Sequence, residues 1–166
     1  MRKYAPLPAS SLVYLARLLR YGAPHLQSEM PAALAALRER LASVRIGATT
    51  WYWPADENPR SSRHAPAVRV RLLAPFDPIV WDRRRFELLW DWTYRFEAYT
   101  PAPQRQLGYY ALPLLWGDQV VGWANAAVRG SRLVVATGFA HGRETSEEFG
   151  HELAAERERM ATFLGL

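Results

Sequence analysis

The chain has 166 residues, of which 49% are hydrophobic and 13% aromatic. It is long enough for one domain, or for a small domain and a fragment, and too apolar for its bulk to be disordered. It contains no cysteine, which excludes disulfides, zinc–thiolate sites, iron–sulfur clusters and cysteine nucleophiles. The net charge is +5, and Lys3 is the single lysine among 21 basic residues. This balance favours an anionic partner such as nucleic acid, although a GC-rich genome produces the same arginine bias.

The sequence gives no sign of a membrane segment or an export signal. No apolar run approaches the ~20 residues that a membrane helix needs. Arg17 and Arg20 interrupt the short apolar stretch near the N-terminus, and no clear cleavage site follows it. We therefore expect a cytoplasmic protein with no membrane partner, and the oligomeric state stays open.

Residues 1–55 are predicted to form a partial winged helix-turn-helix. Leucines spaced from 12 to 19 predict a helix that is capped by Ser10 or Ser11. A second helix is expected over 31–43 and a strand-like segment over 44–53. At most two helices precede this β segment, where a winged helix usually has three, so the module would be abbreviated.

Three arginines of this region are candidates for contact with DNA. In a winged helix the second helix of the motif lies in the major groove, and its cationic side chains meet phosphates or base edges. The candidates are Arg38 and Arg40 on the predicted helix and Arg45 just after it. The alternative interpretation is that they are ordinary solvated charges on a helix that packs against the rest of the protein.

Residues 56–67 are predicted to be a linker, because they are polar, rich in Pro, Ser and Asn, and without an apolar period. Residues 68–166 then form a second domain with about five strands. Gly117-Asp118 and the turn around Gly130 predict two hairpins near its end. The alternation of Tyr94, Phe96 and Ala98 with charged and polar residues predicts another strand over 94–99.

Two helices complete this predicted domain. A short one is expected over 81–90, with Trp81, Leu88 and Leu89 on its apolar side and with Asp77 and Asp82 in structural turn and capping roles. The last helix is expected over 144–165, capped by Thr145 with Glu148 in a capping box. Its buried stripe and its solvated Glu-Arg face are predicted from spacing alone: Phe149, Leu153, Met160, Phe163 and Leu164 for the stripe, and residues 156–159 for the solvated face.

The predicted fold class is therefore α+β. It combines a small antiparallel β-barrel-like sheet with an N-terminal helical segment of partial winged-helix type and a C-terminal packing helix. Strand order cannot be read from the spacing, but most neighbouring strands are expected to be antiparallel.

Three motifs of the central region occur in a fixed order: LLAPFDPIVWDRRR at 72–85, YRFEAYTPAP at 94–103 and GYYALPLL at 108–115. Together they resemble the C-terminal part of the AlkZ/YcaQ family of winged-helix DNA glycosylases, which excise bulky alkylated bases and unhook interstrand crosslinks. The resemblance covers roughly 68–140 well and the N-terminal third loosely. It implies a β-barrel-like domain that follows winged-helix domains.

The resemblance does not by itself imply that this chain is catalytic. The family's catalytic element is a Gln–hydrophobic–Gln pair that positions the attacking water, and it lies N-terminal to the matched segment. Here Gln104-Arg105-Gln106 has that spacing with Arg in the middle, which we interpret as coincidence. A second departure concerns the strand after the hairpin: relatives tend to have an Arg, an Asp and a Lys where this chain has Trp123, Asn125 and Ala127.

Further candidates for contact with DNA lie in and around the three motifs. Guanidinium groups match phosphate oxygens bidentately, and aromatic rings can stack or insert in a groove. The candidates are Arg83, Arg84, Arg85, Arg95, Arg105 and Tyr109, near Trp81, Tyr99 and Tyr110. The alternative is that the rings are core and the arginines solvated or paired with Asp82, Glu87 and Asp91.

Other chemistries find little support in the sequence. His25, His64, His141 and His151 make no metal-binding pair, and no phosphate-binding glycine motif is present, so no metal and no cofactor are expected. Three hypotheses remain. The first is a non-catalytic protein bound to double-stranded DNA, and the second is a glycosylase half that needs an N-terminal partner chain. The third is a protein-interaction module with Trp53, Trp116 and Trp123 on its contact surface.

Overall fold

The computed structural model describes residues 2–140 and 146–166. Over these residues the chain combines four α-helices with antiparallel sheets, one of which is a curled half-barrel of four strands. The predicted α+β class is confirmed. The chain forms two compact units, Met1–His64 and Ala65–Leu166.

The first unit contains two α-helices and a three-stranded antiparallel sheet. Its elements are β1 Leu7–Pro8, α1 Ala9–Gly22, α2 Met30–Glu39, β2 Leu41–Ile46 and β3 Thr49–Pro54. The strand order is β1-β3-β2, and β2 and β3 form a hairpin around Gly47, which has a left-handed φ of 57°. Such a φ costs glycine little and other residues much.

Two predictions for this unit are wrong. The first helix begins at Ala9, directly after Pro8, and no side chain caps it. Ser11 lies within the helix and is buried, because the extended Pro8 starts the helix before either serine. The second helix ends at Glu39 rather than at 43, since Leu41 pairs with Pro54 at the start of a strand ladder that reaches Ile46.

The second unit is built on the order β4-β5-β6-β7. Its elements are β4 Val70–Leu72, α3 Arg83–Trp90, β5 Leu112–Trp116, β6 Gln119–Arg129, β7 Arg132–Phe139 and α4 Glu147–Phe163. Both predicted hairpins are confirmed, and Gly117 and Gly130 sit in their turns at φ 61° and 60°. The hydrophobic residues of α4 pack on the sheet: the Phe149 ring lies 5.3 Å from that of Trp116 and 5.8 Å from that of Phe139.

The predicted strand at 94–99 is wrong, so the sheet has four strands rather than five. Residues 92–97 have no regular secondary structure and pair with no strand. Tyr94 and Glu97 are both buried, and a spacing of three cannot place two residues on the same face of a strand. The alternating pattern therefore belongs to an irregular segment, whose buried residues contact different parts of the protein.

The helices of the second unit also correct the sequence interpretation. Asp82 caps α3 by accepting from the Arg85 N–H at 3.1 Å, and Asp77 accepts from the Ile79 N–H at 2.8 Å, so both predicted structural roles are confirmed. However, Phe86 is the fully buried residue of α3, whereas Leu88 and Leu89 are exposed. A helix of 8 residues buries only one narrow face, and here that face is centred on Phe86.

The last helix is capped by Ser146, which accepts from the Phe149 N–H at 3.1 Å; the predicted cap Thr145 lies outside the described residues. Phe149 is buried as predicted, but Phe163 and Leu164 at the end of the stripe are exposed. The predicted solvated face is wrong at Glu156, which is buried against the edge of β4.

Candidate nucleic-acid interface

The basic residues are distributed unequally between the two units. Positions 1–64 carry nine basic and four acidic residues, whereas positions 65–166 carry twelve of each. The whole net charge of +5 therefore belongs to the first unit. Its three candidate arginines are exposed: Arg38 in the last turn of α2, Arg40 directly after it, and Arg45 on β2, where its Nε donates to the Gly47 carbonyl at 3.3 Å.

The three consecutive arginines at the start of α3 have different surroundings. Arg83 donates to the carbonyls of Val80 at 2.5 Å and Pro75 at 2.9 Å, and Arg85 donates to those of Pro78 and Ile79. Arg85 is buried and Arg83 half-buried, whereas Arg84 between them is exposed. Arg83 and Arg85 thus hold the turn before α3, whereas Arg84 faces solvent.

The half-buried Arg83 guanidinium lies 4.5 Å above the centre of the Tyr94 ring. Burial lowers the pKa of Arg83, although Tyr94 acts in the opposite direction. Burial also raises the pKa of Tyr94 to about 12, and the hydroxyl donates to the Ala111 carbonyl at 2.6 Å. Arg83 and Tyr94 thus join the turn before α3 to the chain just before β5.

Glu97 is the one acidic residue between Trp92 and Trp116, and its side chain is directed into the protein. Its carboxylate accepts from the N–H groups of Gln106 at 2.9 Å, Leu107 at 2.7 Å and Gly108 at 3.2 Å. Burial, the largest single effect, acts to raise the pKa of Glu97, but the three N–H donors together outweigh it and hold the pKa below its ordinary value. We call this arrangement the Glu97 cradle.

The Glu97 cradle fixes the loop that carries Arg105 and Tyr109. The Arg105 Nε donates to the Thr100 carbonyl at 2.8 Å, and its guanidinium lies 4.9 Å from the centre of the Tyr109 ring. The Tyr109 side chain is 60% exposed, and Arg95 is exposed as well. The spacing of residues in the sequence did not predict the Glu97 cradle. The one sequence feature that could have indicated it is the isolation of this acid within a long aromatic and basic segment.

One of the three substituted positions of β6 supports this same loop. Asn125 donates through its Nδ2 to the Leu107 carbonyl at 2.7 Å. The Trp123 ring stacks on that of Trp92, with centres 6.0 Å apart and planes 20° apart. Gln104 and Gln106 are exposed in the loop, and the backbone of Gln106 is held by the Glu97 cradle.

The three tryptophans considered as a protein-contact surface are half-buried rather than exposed. The Trp53 indole N–H donates to the Glu57 carbonyl at 3.2 Å. Trp116 and Trp123 pack against Phe149 and Trp92. Apart from Phe163 at the end of α4, the exposed aromatic residues of the second unit lie elsewhere: they are Phe76, Tyr99, Tyr109 and Tyr110.

The chain is thus an α+β protein with a half-barrel sheet in one unit and the whole excess of positive charge in the other. Comparison with known proteins gives its family. The family described as DNA glycosylase AlkZ-like matches residues 1–163, so the chain belongs to the AlkZ-like DNA glycosylase family and its function is related to DNA repair. No solved structure matches it significantly. Among the described residues no helix is long and apolar enough to cross a membrane, and no group of His, Asp and Glu is arranged to hold a metal ion.

Proposed function

We propose that the protein associates with double-stranded DNA without catalysing base excision, and that it binds mainly through phosphates. One observation carries this proposal: the entire excess of positive charge lies in the first unit, where Arg38, Arg40 and Arg45 are exposed. Phosphate contacts of this kind give sequence-independent affinity that falls steeply with salt.

The topology of the first unit supports the location of these contacts. A short strand, two helices and a hairpin, with the sheet order β1-β3-β2, follow the order of a winged helix-turn-helix whose first helix is missing. In that arrangement α2 takes the place of the helix that enters the major groove, and the hairpin of β2 and β3 is the wing. Arg38 and Arg40 then lie at the end of α2, and Arg45 lies on the wing.

The non-catalytic part of the proposal rests on the glutamines. The only two with one residue between them are Gln104 and Gln106, and the residue between them is Arg105, a cation where the family's element has a hydrophobic residue. The strand β6 also has Trp123, Asn125 and Ala127, so it offers no charged side chain at these positions.

Among the arginines of the second unit, we propose that Arg84, Arg95 and Arg105 are available to a nucleic acid, together with Tyr109. Arg83 and Arg85 use their N–H groups on backbone carbonyls. Their contribution to binding is therefore indirect, through the turn that they hold before α3.

Binding of a fluorescent duplex, followed by anisotropy over a series of salt concentrations, tests the proposal. Each phosphate contact contributes about 0.9 to the slope of log K against log salt. The double variant Arg38→Ala/Arg40→Ala is expected to lower the magnitude of that slope by about 2. Arg129→Ala/Arg132→Ala removes the same charge from exposed positions of the β6–β7 hairpin and should leave the slope close to that of the wild type.

Two results would contradict the proposal. Absence of duplex binding at low salt would remove the DNA association. Release of an alkylated base from duplex DNA by the purified chain alone would remove the non-catalytic part and leave the association standing.

A second candidate function is a glycosylase half that acts with a partner chain carrying the Gln–hydrophobic–Gln element. The observation that favours it is the poor burial of the first unit: α2 has no buried residue, and Tyr14, Leu19 and Tyr21 of α1 are 51%, 57% and 72% exposed. Base release by a mixture of this chain with such a partner, and by neither alone, would support it. Additive or absent activity in the mixture would reject it.

A further inference from the structure

A group of aromatic side chains in the second unit is exposed although its rings contact one another. Phe96 is at its centre, and its ring centre lies 5.6 Å from that of Phe76, 6.1 Å from that of Tyr99 and 5.1 Å from that of Tyr110. All three pairs are edge-to-face, with interplanar angles of 67°, 83° and 89°. Phe76, Tyr99 and Tyr110 are nevertheless 65%, 91% and 44% exposed. We call these four residues the Phe96 cluster.

Edge-to-face contact with Phe96 uses one side of each outer ring. At 91% exposure, Tyr99 has nearly its whole surface in solvent. The arginine–tyrosine pair of Arg105 and Tyr109 adjoins the cluster, because Tyr109 directly precedes Tyr110 and the Arg105 Nε donates to the carbonyl of Thr100, next to Tyr99. The backbone therefore joins the arginine–tyrosine pair directly to two residues of the cluster.

The segment that supplies three of the four rings carries more positive than negative charge. The segment from Trp92 to Trp116 carries Arg95 and Arg105, and its one acid is Glu97. The Glu97 carboxylate is buried and accepts three backbone N–H groups, so it is not part of the surface that an anion would contact. The exposed surface of this segment thus offers cations and rings without a carboxylate of its own.

The backbone beneath the rings is fixed. The Glu97 cradle holds residues 106–108, and Gly108 has a φ of 116°, a conformation that favours glycine. A Cβ at Gly108 would lie 2.5 Å from the Asn125 Oδ1, which shows how closely the loop approaches β6. A surface whose backbone is already ordered loses little conformational entropy on binding.

We propose that the Phe96 cluster, with Arg105 and Tyr109, binds single-stranded nucleic acid by stacking unpaired bases on its exposed rings while the arginines meet the phosphates. Exposed rings beside arginines, on a segment whose single acid is buried, are the elements that sequence-tolerant single-strand binding requires. This inference takes nucleic acid as the partner from the proposed function, but assigns a different surface and a different form of the strand.

The test is anisotropy of a fluorescein-labelled oligothymidylate of roughly 15 nucleotides, a length that spans the usual single-strand site sizes. Tyr99→Ala is expected to weaken binding about tenfold, within the range seen for loss of one stacked base. Tyr99→Phe keeps the ring and should bind like the wild type. Because Tyr99 is almost fully exposed, neither change should affect folding, which circular dichroism checks.

A matched control exists in the first unit. Tyr21 is 72% exposed, and the Arg20 guanidinium lies 4.7 Å from the centre of its ring, so Tyr21→Ala removes a similar arginine–tyrosine pair at another site. It should leave single-strand affinity unchanged. A second control is an abasic strand of equal length, which keeps the phosphates and is expected to bind markedly more weakly.

Three results would overturn the inference: equal affinity for the abasic and the base-bearing strand, normal binding by Tyr99→Ala, or equal weakening by Tyr21→Ala. Its failure can be distinguished from that of the proposed function. Duplex binding that depends on Arg38 and Arg40, without binding of the single strand, would reject this inference alone. Loss of both activities would reject both.

Discussion

Replacement of Glu97 by glutamine tests whether the cradle holds the loop in front of β5. The carboxylate accepts from three consecutive backbone N–H groups, at 2.7 to 3.2 Å. A hydrogen bond to a charged group contributes about 1.5–3 kcal/mol. The side-chain oxygen of a glutamine at position 97 can still accept a hydrogen bond, but its NH₂ group would face N–H donors. The backbone N–H of Gln106, at the exposed end of the loop, can instead donate to water. We therefore expect Glu97→Gln to lower the free energy of unfolding by about 2–4 kcal/mol at neutral pH.

The measurement is urea unfolding followed by tryptophan fluorescence, with Glu87→Gln as the control. Glu87 is exposed on α3 and accepts from the Thr93 hydroxyl at 2.6 Å, so its replacement should change stability by less than about 1 kcal/mol. Hydrogen exchange at residues 106–108 should accelerate in Glu97→Gln. A Glu97→Gln protein as stable as the Glu87→Gln control would refute the reasoning.

The same substitution makes a prediction about acid. The pKa of Glu97 in the folded protein lies below its ordinary value of 4.5, so the unfolded chain takes up the proton first as the pH falls. The stabilisation by Glu97 is complete above that value and is lost as the pH falls through the folded-state pKa. The difference between wild type and Glu97→Gln should therefore be largest at neutral pH and shrink in acid.

The remaining predictions concern stability, measured by urea unfolding. Tyr94→Phe loses the bond to the Ala111 carbonyl, about 1 kcal/mol at neutral pH. Burial raises the folded-state pKa of Tyr94 to about 12, against an ordinary value of 10. The greater stability of the wild type over Tyr94→Phe should therefore disappear by about pH 11. A stability difference that persists at that pH would contradict the assignment. Glu156→Gln weakens an ion pair at 2.8 Å and a backbone bond at 3.0 Å, and should cost about 1–3 kcal/mol; a loss under 0.5 kcal/mol would contradict the buried role. Gly122→Ala places a Cβ 2.1 Å from a backbone carbonyl and should cost more than about 3 kcal/mol, whereas Gly150→Ala, with open space around it on α4, should stabilise by up to about 1 kcal/mol.

Features fixed by local chemistry were predictable from the sequence. The hairpins at Gly117 and Gly130 follow from the left-handed backbone of a two-residue turn, and the capping role of Asp82 follows from a side chain placed just before a helix. These need only a few neighbouring residues. The turns and the cap were therefore located correctly, and with them the antiparallel sheet.

Features that depend on distant partners were not predictable. The segment at 94–99 alternates like a strand, but Glu97 finds its donors nine to eleven residues later along the chain. Likewise Arg84 and Arg85 are neighbouring arginines that the sequence does not distinguish. The position of the preceding turn in the folded protein buries Arg85 against the backbone carbonyls of that turn and leaves Arg84 exposed. The exposed surface around Phe96 was not predictable for the same reason, because its rings come from separate parts of the chain.

The position of Glu156 has a consequence for association between molecules. β4 is an outer strand of the half-barrel, and two of its outward backbone groups already bond to side chains of α4: the Leu72 N–H donates to Glu156 at 3.0 Å, and the Val70 carbonyl accepts from Arg159 at 3.3 Å. A foreign strand could add here only by displacing both side chains of α4. This helix therefore blocks edge-to-edge polymerisation at one margin of the sheet, a hazard that unprotected margins carry.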